Sequence, residues 1–148
     1  MLRSNLLFIH VASAMGVFAA LGVEALALAH LSRSAGNGMA RAALADLGSA
    51  RRLGGPAMLL LIVSGFWLAT AYWHWQGAWM GLGFLGLVAV AAIGGLMTGR
   101  AVRRLVPRLN EPGFDDALRK VDPLLRRSLL IRTVLLAAVV YLMTVKPL

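Results

Sequence analysis

From Leu6 to Leu31 the chain is apolar except for His10, Ser13, Glu24 and His30. At about 1.5 Å of rise per residue, a helix of this length can cross the roughly 30 Å hydrocarbon core of a bilayer with some tilt. A helix on a soluble core needs one apolar stripe, so a run that is apolar on every side selects a membrane span. The start of the chain also has features of a secretory leader: Arg3 precedes an apolar run, and Ala12-Ser13-Ala14 resembles a cleavage site. The run before that site is short, contains His10 and continues well beyond it. The expectation is therefore an uncleaved first span.

The composition extends this reading to the whole chain: 59% of the residues are hydrophobic and 14% charged. We expect residues 1–148 to form a single transmembrane domain. A net charge of +9 would suit a nucleic-acid binder if the basic residues formed a face of a soluble fold. They fall instead in two segments between apolar runs, which speaks for membrane topology and against nucleic acid. The absence of cysteine excludes disulfides, thiol catalysis and thiolate metal sites.

Four spans are expected, at about 6–31, 56–73, 79–99 and 123–145, separated by polar segments at 32–55 and 100–122. In the first polar segment Met39, Leu44 and Leu47 would form a short helix lying on the membrane surface. Gly54-Gly55-Pro56 should then break the chain, with Pro56 in the first turn of the second span. The uncharged turn Trp73-His74-Trp75-Gln76-Gly77-Ala78 is so short that spans two and three must form an antiparallel hairpin. In the second polar segment Asn110-Glu111-Pro112-Gly113 reads as a turn, and Asp115 to Val121 as a short amphipathic helix with Phe114, Leu118 and Val121 toward lipid. Asp122-Pro123 should cap and begin the fourth span.

Basic residues near the span ends set the orientation. Arg33, Arg41, Arg51 and Arg52 lie in the first polar segment. Arg100, Arg103, Arg104, Arg108, Arg119, Lys120, Arg126 and Arg127 lie in the second, against only Arg3 and Lys146 near the termini. Both polar segments should face the cytoplasm and both termini the outside. The expected fold is all-α: four antiparallel transmembrane helices in an up-down bundle. Small residues should let spans one and three pack most closely, through Ala12-xxx-Gly16-xxx-Ala20 and Gly95-xxx-Gly99.

Four side chains stand out as candidates for chemistry. Glu24 and Arg132 each lie roughly 6 to 9 Å in from the cytoplasmic side, and an unpaired charge there costs at least about 2.5 to 3.5 kcal/mol. They form a candidate structural ion pair, with a proton or ligand role for Glu24 as the other reading. His10, in the outer half of span one, shares its side with His74 and with Met15, Met80 and Met143. An intramembrane histidine can ligate haem b, and a histidine and methionine set suits copper, so His10 is a candidate cofactor ligand and His10 with His74 a candidate metal pair. A hydrogen-bonded structural His10 is the other reading. Nothing in the chain resembles a phosphate loop, a nucleophile elbow or an HExxH zinc site.

The segments LLFIHVASAMG and IRTVLLAAVVYLMTVKP resemble small bacterial membrane proteins: the copper-resistance protein D-like families, the oxygen-independent four-helix protoporphyrinogen oxidases, and the family catalogued as domain of unknown function 2269. The resemblance implies a four-helix bundle of the bacterial inner membrane, with a haem or metal role for His10. The chain departs from the oxidases in lacking their lysine-bearing helix and tryptophan-rich first span. The expected function is that of a non-enzymatic bundle acting through membrane-protein partners or self-association; the alternative is a haem- or metal-binding redox protein using His10.

Overall fold

The computed structural model describes residues 1–33, 37–75, 77–108, 111 and 113–145. Gln76, Asn110, Pro112 and Lys146, which figure in the expected turns and charge count, lie outside the described residues, as do the side chains of Arg33, Met39 and Asp115. The architecture is all-α. Helix α1 covers Leu2–Arg33, α2 Asn37–Ala71, α3 Ala78–Ile93, α4 Gly99–Leu105 and α5 Phe114–Val145. A π-helical turn, Gly94–Thr98, joins α3 to α4, and a 3-10 turn, Val106–Arg108, follows α4. Among the described residues four stretches are long and apolar enough to cross a membrane: Leu2–Leu31, Ala40–Ala71, Ala78–Arg108 and Asp116–Val145.

The first polar segment is not a surface loop. Helix α2 runs without interruption through Gly54-Gly55-Pro56, and its 35 residues give a rod about 50 Å long, well beyond the hydrocarbon thickness. Proline inside a helix costs about 3 kcal/mol or more, so something must offset it. That something is an unbroken seam: Ala40, Ala43, Leu47, Ala50, Ala57, Leu61, Ser64 and Leu68 are all buried, at alternating spacings of three and four once Gly54 is counted between Ala50 and Ala57. Helix α1 carries the matching seam, with Ser13, Val17, Ala20, Glu24, Ala27 and Leu31 buried at the same spacings. Such a repeat keeps one face of each helix against its partner, as in a coiled coil.

The fourth long helix likewise starts earlier than expected. Asp122-Pro123 lies well inside α5, where Asp122 accepts a hydrogen bond from Arg126 Nε at 2.8 Å and caps nothing. Phe114 and Leu125 are buried on either side of Pro123, with Leu118 and Val121 half-buried between them. The apolar face thus crosses the proline and keeps the helix intact.

Leu44 and Leu47, expected in a helix lying on the membrane surface, and Phe114, expected to face lipid, lie in a core with Leu28, Leu31, Leu105 and Leu125. The physical reason is solvent. Lipid gives apolar side chains no gain from joining one another, whereas in water they bury against each other at roughly 25 cal/mol per Å², and the 35-residue α2 is longer than a hydrocarbon core needs. A second core, built around Val17, Leu61, Leu87, Val90, Leu136 and Val139, occupies the other part of the bundle.

The closely packed pairs are α1 with α2 and α3 with α5, which corrects the expected pairing of spans one and three. The small residues do permit close approach, but to other partners. A Cβ on Gly54 would lie 2.9 Å from the Ala20 Cβ, one on Gly16 3.1 Å from the Ala57 Cβ, and one on Gly86 2.6 Å from Val139 Cγ2. Along α1 the contacts climb through His10, Gly16 and Ala20 as they descend α2 through Gly65, Ala57 and Gly54. In α3 and α5, Gly83 meets Met143 and Gly86 meets Val139.

Candidate functional site

The π-helical turn decides what faces the interior of the third span. Met80, Gly83, Leu87 and Val90 are buried at spacings of three and four. Continuing that alternation past Gly94 would bring Met97 inward, but a π turn adds one residue to the turn, and Thr98 is buried in its place at 2% exposure. Gly94, in the same turn, has no side chain to obstruct Arg132: a Cβ there would lie 3.1 Å from Arg132 Nη1.

The result is a polar cluster drawn from separate helices. Arg132 Nη2 donates to Glu24 Oε1 and, at 3.2 Å, to Thr98 Oγ1. Arg132 Nε donates to the Ser128 carbonyl at 3.3 Å, and the Thr98 and Ser128 hydroxyls share a hydrogen bond of 3.0 Å. Glu24 is 5% exposed and Arg132 8%, so the structure brings the two charges expected to share a layer into a buried ion pair. The sequence marks Thr98 only as a hydroxyl that would bond back to its own helix or across to a neighbour, and does not mark Ser128. The signal for Thr98 facing inward is the lost phase at Gly94–Thr98, visible only once the helix is known to change its winding.

A cavity of about 490 Å³ lies beside this cluster. Glu24, Arg51, Thr98 and Arg132 line it, with walls formed by Val17, Leu21, Met58, Ile62, Val90 and Ala91. The half-buried Arg51 lies over the bare backbone of Gly99, where a Cβ would be 2.7 Å from either terminal nitrogen.

A second cavity, of about 270 Å³, contains His10. His10 Nδ1 lies 3.1 Å from Ser64 Oγ, and Ser64 donates onward to the Leu60 carbonyl. Met80 and Met143 line this cavity with Trp73, Trp75 and Trp79, while Met15 is 70% exposed. His74 does not line it. It is exposed in the turn after α2, where both it and Trp75 adopt positive φ, 47° and 55°. Trp75 is held there by donating Nε1–H to Thr70 Oγ1 at 3.2 Å and by edge contacts with Phe66 and Phe84. Among the described residues no group of three or more histidines, cysteines, aspartates or glutamates is placed to hold a metal ion.

Compared with known family models, characterised proteins and solved structures, the chain matches none. Its function has to be read from its own geometry.

Proposed function

We propose that this chain is a multi-pass protein of the bacterial inner membrane, an up-down bundle of four antiparallel spans with both termini outside. It acts without catalysis, through membrane-protein partners or self-association. The observation that carries this reading is the closure of the polar cluster. Glu24 and Arg132 face each other, and the guanidinium's other contacts are to Thr98 and Ser128. Charges engaged in this way hold α1, α5 and the π-helical turn in register, much as one polar residue in a coiled-coil seam fixes its partner. The contacts that climb one helix while descending its neighbour support the antiparallel course. The basic ends of the helices support a cytoplasmic placement of the joined core.

Copies labelled with donor and acceptor dyes at position 41, reconstituted into liposomes, test the reading. Energy transfer is expected to persist above the random-proximity value as lipid is added. An impermeant reagent should leave a cysteine at 41 or 119 unlabelled in intact cells. Labelling from outside would overturn the topology, and transfer falling to the random value would exclude self-association.

A second reading has its own observation: Met80 and Met143 share a cavity with His10. Two thioethers and an imidazole form a soft donor set of the kind that selects copper(I), and haem b is the other candidate for the same histidine. When bound, the metal would supply one-electron chemistry; His10, Met80 and Met143 would hold it, and Ser64 would orient the imidazole. In this reading Ser64→Ala lowers copper(I) affinity by about 10- to 100-fold, the usual cost of losing a ligand's hydrogen-bond partner. Titration of the purified chain with copper(I) and with haem checks it. No uptake of copper and no Soret band would leave His10 as a hydrogen-bonded structural residue.

A further inference from the structure

We infer that the larger cavity is a binding site for one anionic phospholipid, with the headgroup phosphate on Arg51 and an acyl chain along the apolar wall toward Ile62. The cavity contains two guanidinium groups and one carboxylate. Glu24 is committed to Arg132, whose remaining contacts are to Thr98 and Ser128. Among the described residues Arg51 makes no hydrogen bond and no ion pair. The cluster therefore has one cation to spare, on the wall where α2 meets Gly99.

The shape completes the argument. A volume of about 490 Å³ falls within the roughly 300 to 1,000 Å³ of ordinary ligand sites. Beyond the charged end the lining is Val17, Leu21, Met58, Ile62 and Val90, with no further charge to stop a hydrocarbon chain. Leu59, 66% exposed, and the exposed Gly55 also line the cavity, so it reaches the outer, lateral surface of α2. A basic pocket between membrane helices near the cytoplasmic face is the arrangement that takes anionic headgroups. Charge complementarity thus selects an acidic lipid over a zwitterionic one, and the lateral mouth selects a bilayer component over a soluble anion.

The inference rests on the membrane reading, which has a separate failure mode: recovery of the chain in the aqueous fraction without detergent. The test is native mass spectrometry of the purified chain in micelles containing phosphatidylglycerol and phosphatidylcholine with identical acyl chains, with oleate as a third arm. We expect wild type to retain one phosphatidylglycerol with a preference over phosphatidylcholine of roughly tenfold to a hundredfold: either phosphate can accept from Arg51, but phosphatidylcholine brings a quaternary ammonium that adds a cation beside the unneutralised guanidinium. Arg51→Gln should abolish the preference, Arg51→Lys should keep most of it, and Arg52→Gln, altering an exposed neighbour, should leave it intact. Gly55→Leu, at a position where a Cβ meets nothing within 4 Å, should obstruct the mouth and remove retention while all charges remain. Equal retention of the two phospholipids by wild type, an undiminished preference in Arg51→Gln, or displacement of phosphatidylglycerol by equimolar oleate would overturn the assignment.

Discussion

Glu24→Gln and Arg132→Gln are each expected to destabilise the bundle by about 3 to 5 kcal/mol, and the double variant to recover part of the loss. The reason is asymmetry. The intact pair gains little over two apolar side chains, because desolvating both ions consumes most of their attraction. Removing one partner leaves the other charge 5% or 8% exposed with no counterion. For Glu24→Gln the stranded Arg132 keeps only the Thr98 hydroxyl and the Ser128 carbonyl. For Arg132→Gln the Glu24 carboxylate loses the guanidinium that faces it. Reversible unfolding in mixed micelles of all four proteins closes the cycle, and a coupling energy near zero would mean the pair contributes nothing to the fold.

The second large effect runs against ordinary helix propensity. Glycine to alanine inside a helix normally stabilises by about 0.5 to 1 kcal/mol. Gly54→Ala and Gly86→Ala should instead cost about 1 to 3 kcal/mol each, the usual penalty of overpacking. At Gly54 the new methyl would sit 2.9 Å from the Ala20 Cβ, an atom that no rotamer change can move, so α1 and α2 must separate. At Gly86 it would meet the branched Val139 at 2.6 Å. Gly48→Ala and Gly55→Ala, where a Cβ meets nothing within 4 Å, should show the ordinary gain. The decisive variant is Ala20→Gly combined with Gly54→Ala, which restores the space from the other side. If that pair is no more stable than Gly54→Ala alone, the close approach is not what fixes the sign.

The helical class and the four apolar runs were legible because they depend on composition over long windows. Glu24 and Arg132 were legible because depth along a helix follows from rise per residue, and two buried charges in one layer have few alternatives to meeting. The helix boundaries were not. Gly54-Gly55-Pro56 and Asp122-Pro123 carry strong local signals for a helix boundary, and in both places a seam that continues on the far side outweighs them. The alternation of three and four from Ala40 to Leu68 was present in the sequence, and giving it precedence over Pro56 would have predicted one long helix. Helix pairing was not legible, because a small-residue stripe specifies close approach without naming the partner. The inward placement of Thr98 was hidden for a different reason, since the phase of α3 changes at a π turn that leaves no mark in composition, and Ser128 on α5 stands out only once Thr98 is placed against it. His10 and His74, grouped by side of the membrane, separate because the turn after α2 leaves His74 exposed.

Pro56 has no N–H to offer the Arg52 carbonyl, and the winding between Gly94 and Thr98 departs from the α-helical ladder. Pro56, Gly94 and Gly95 all line the larger cavity, so two of the helices around it are mechanically softest beside it. A rod with a missing rung flexes there before it flexes elsewhere. The core around Leu47 and Leu105 and the α3–α5 contacts act as fixed supports on either side of these points. In the proposed membrane placement, compression or stretching of the bilayer would therefore be taken up as a change in the cavity's width, leaving the spacing of the helix ends nearly constant.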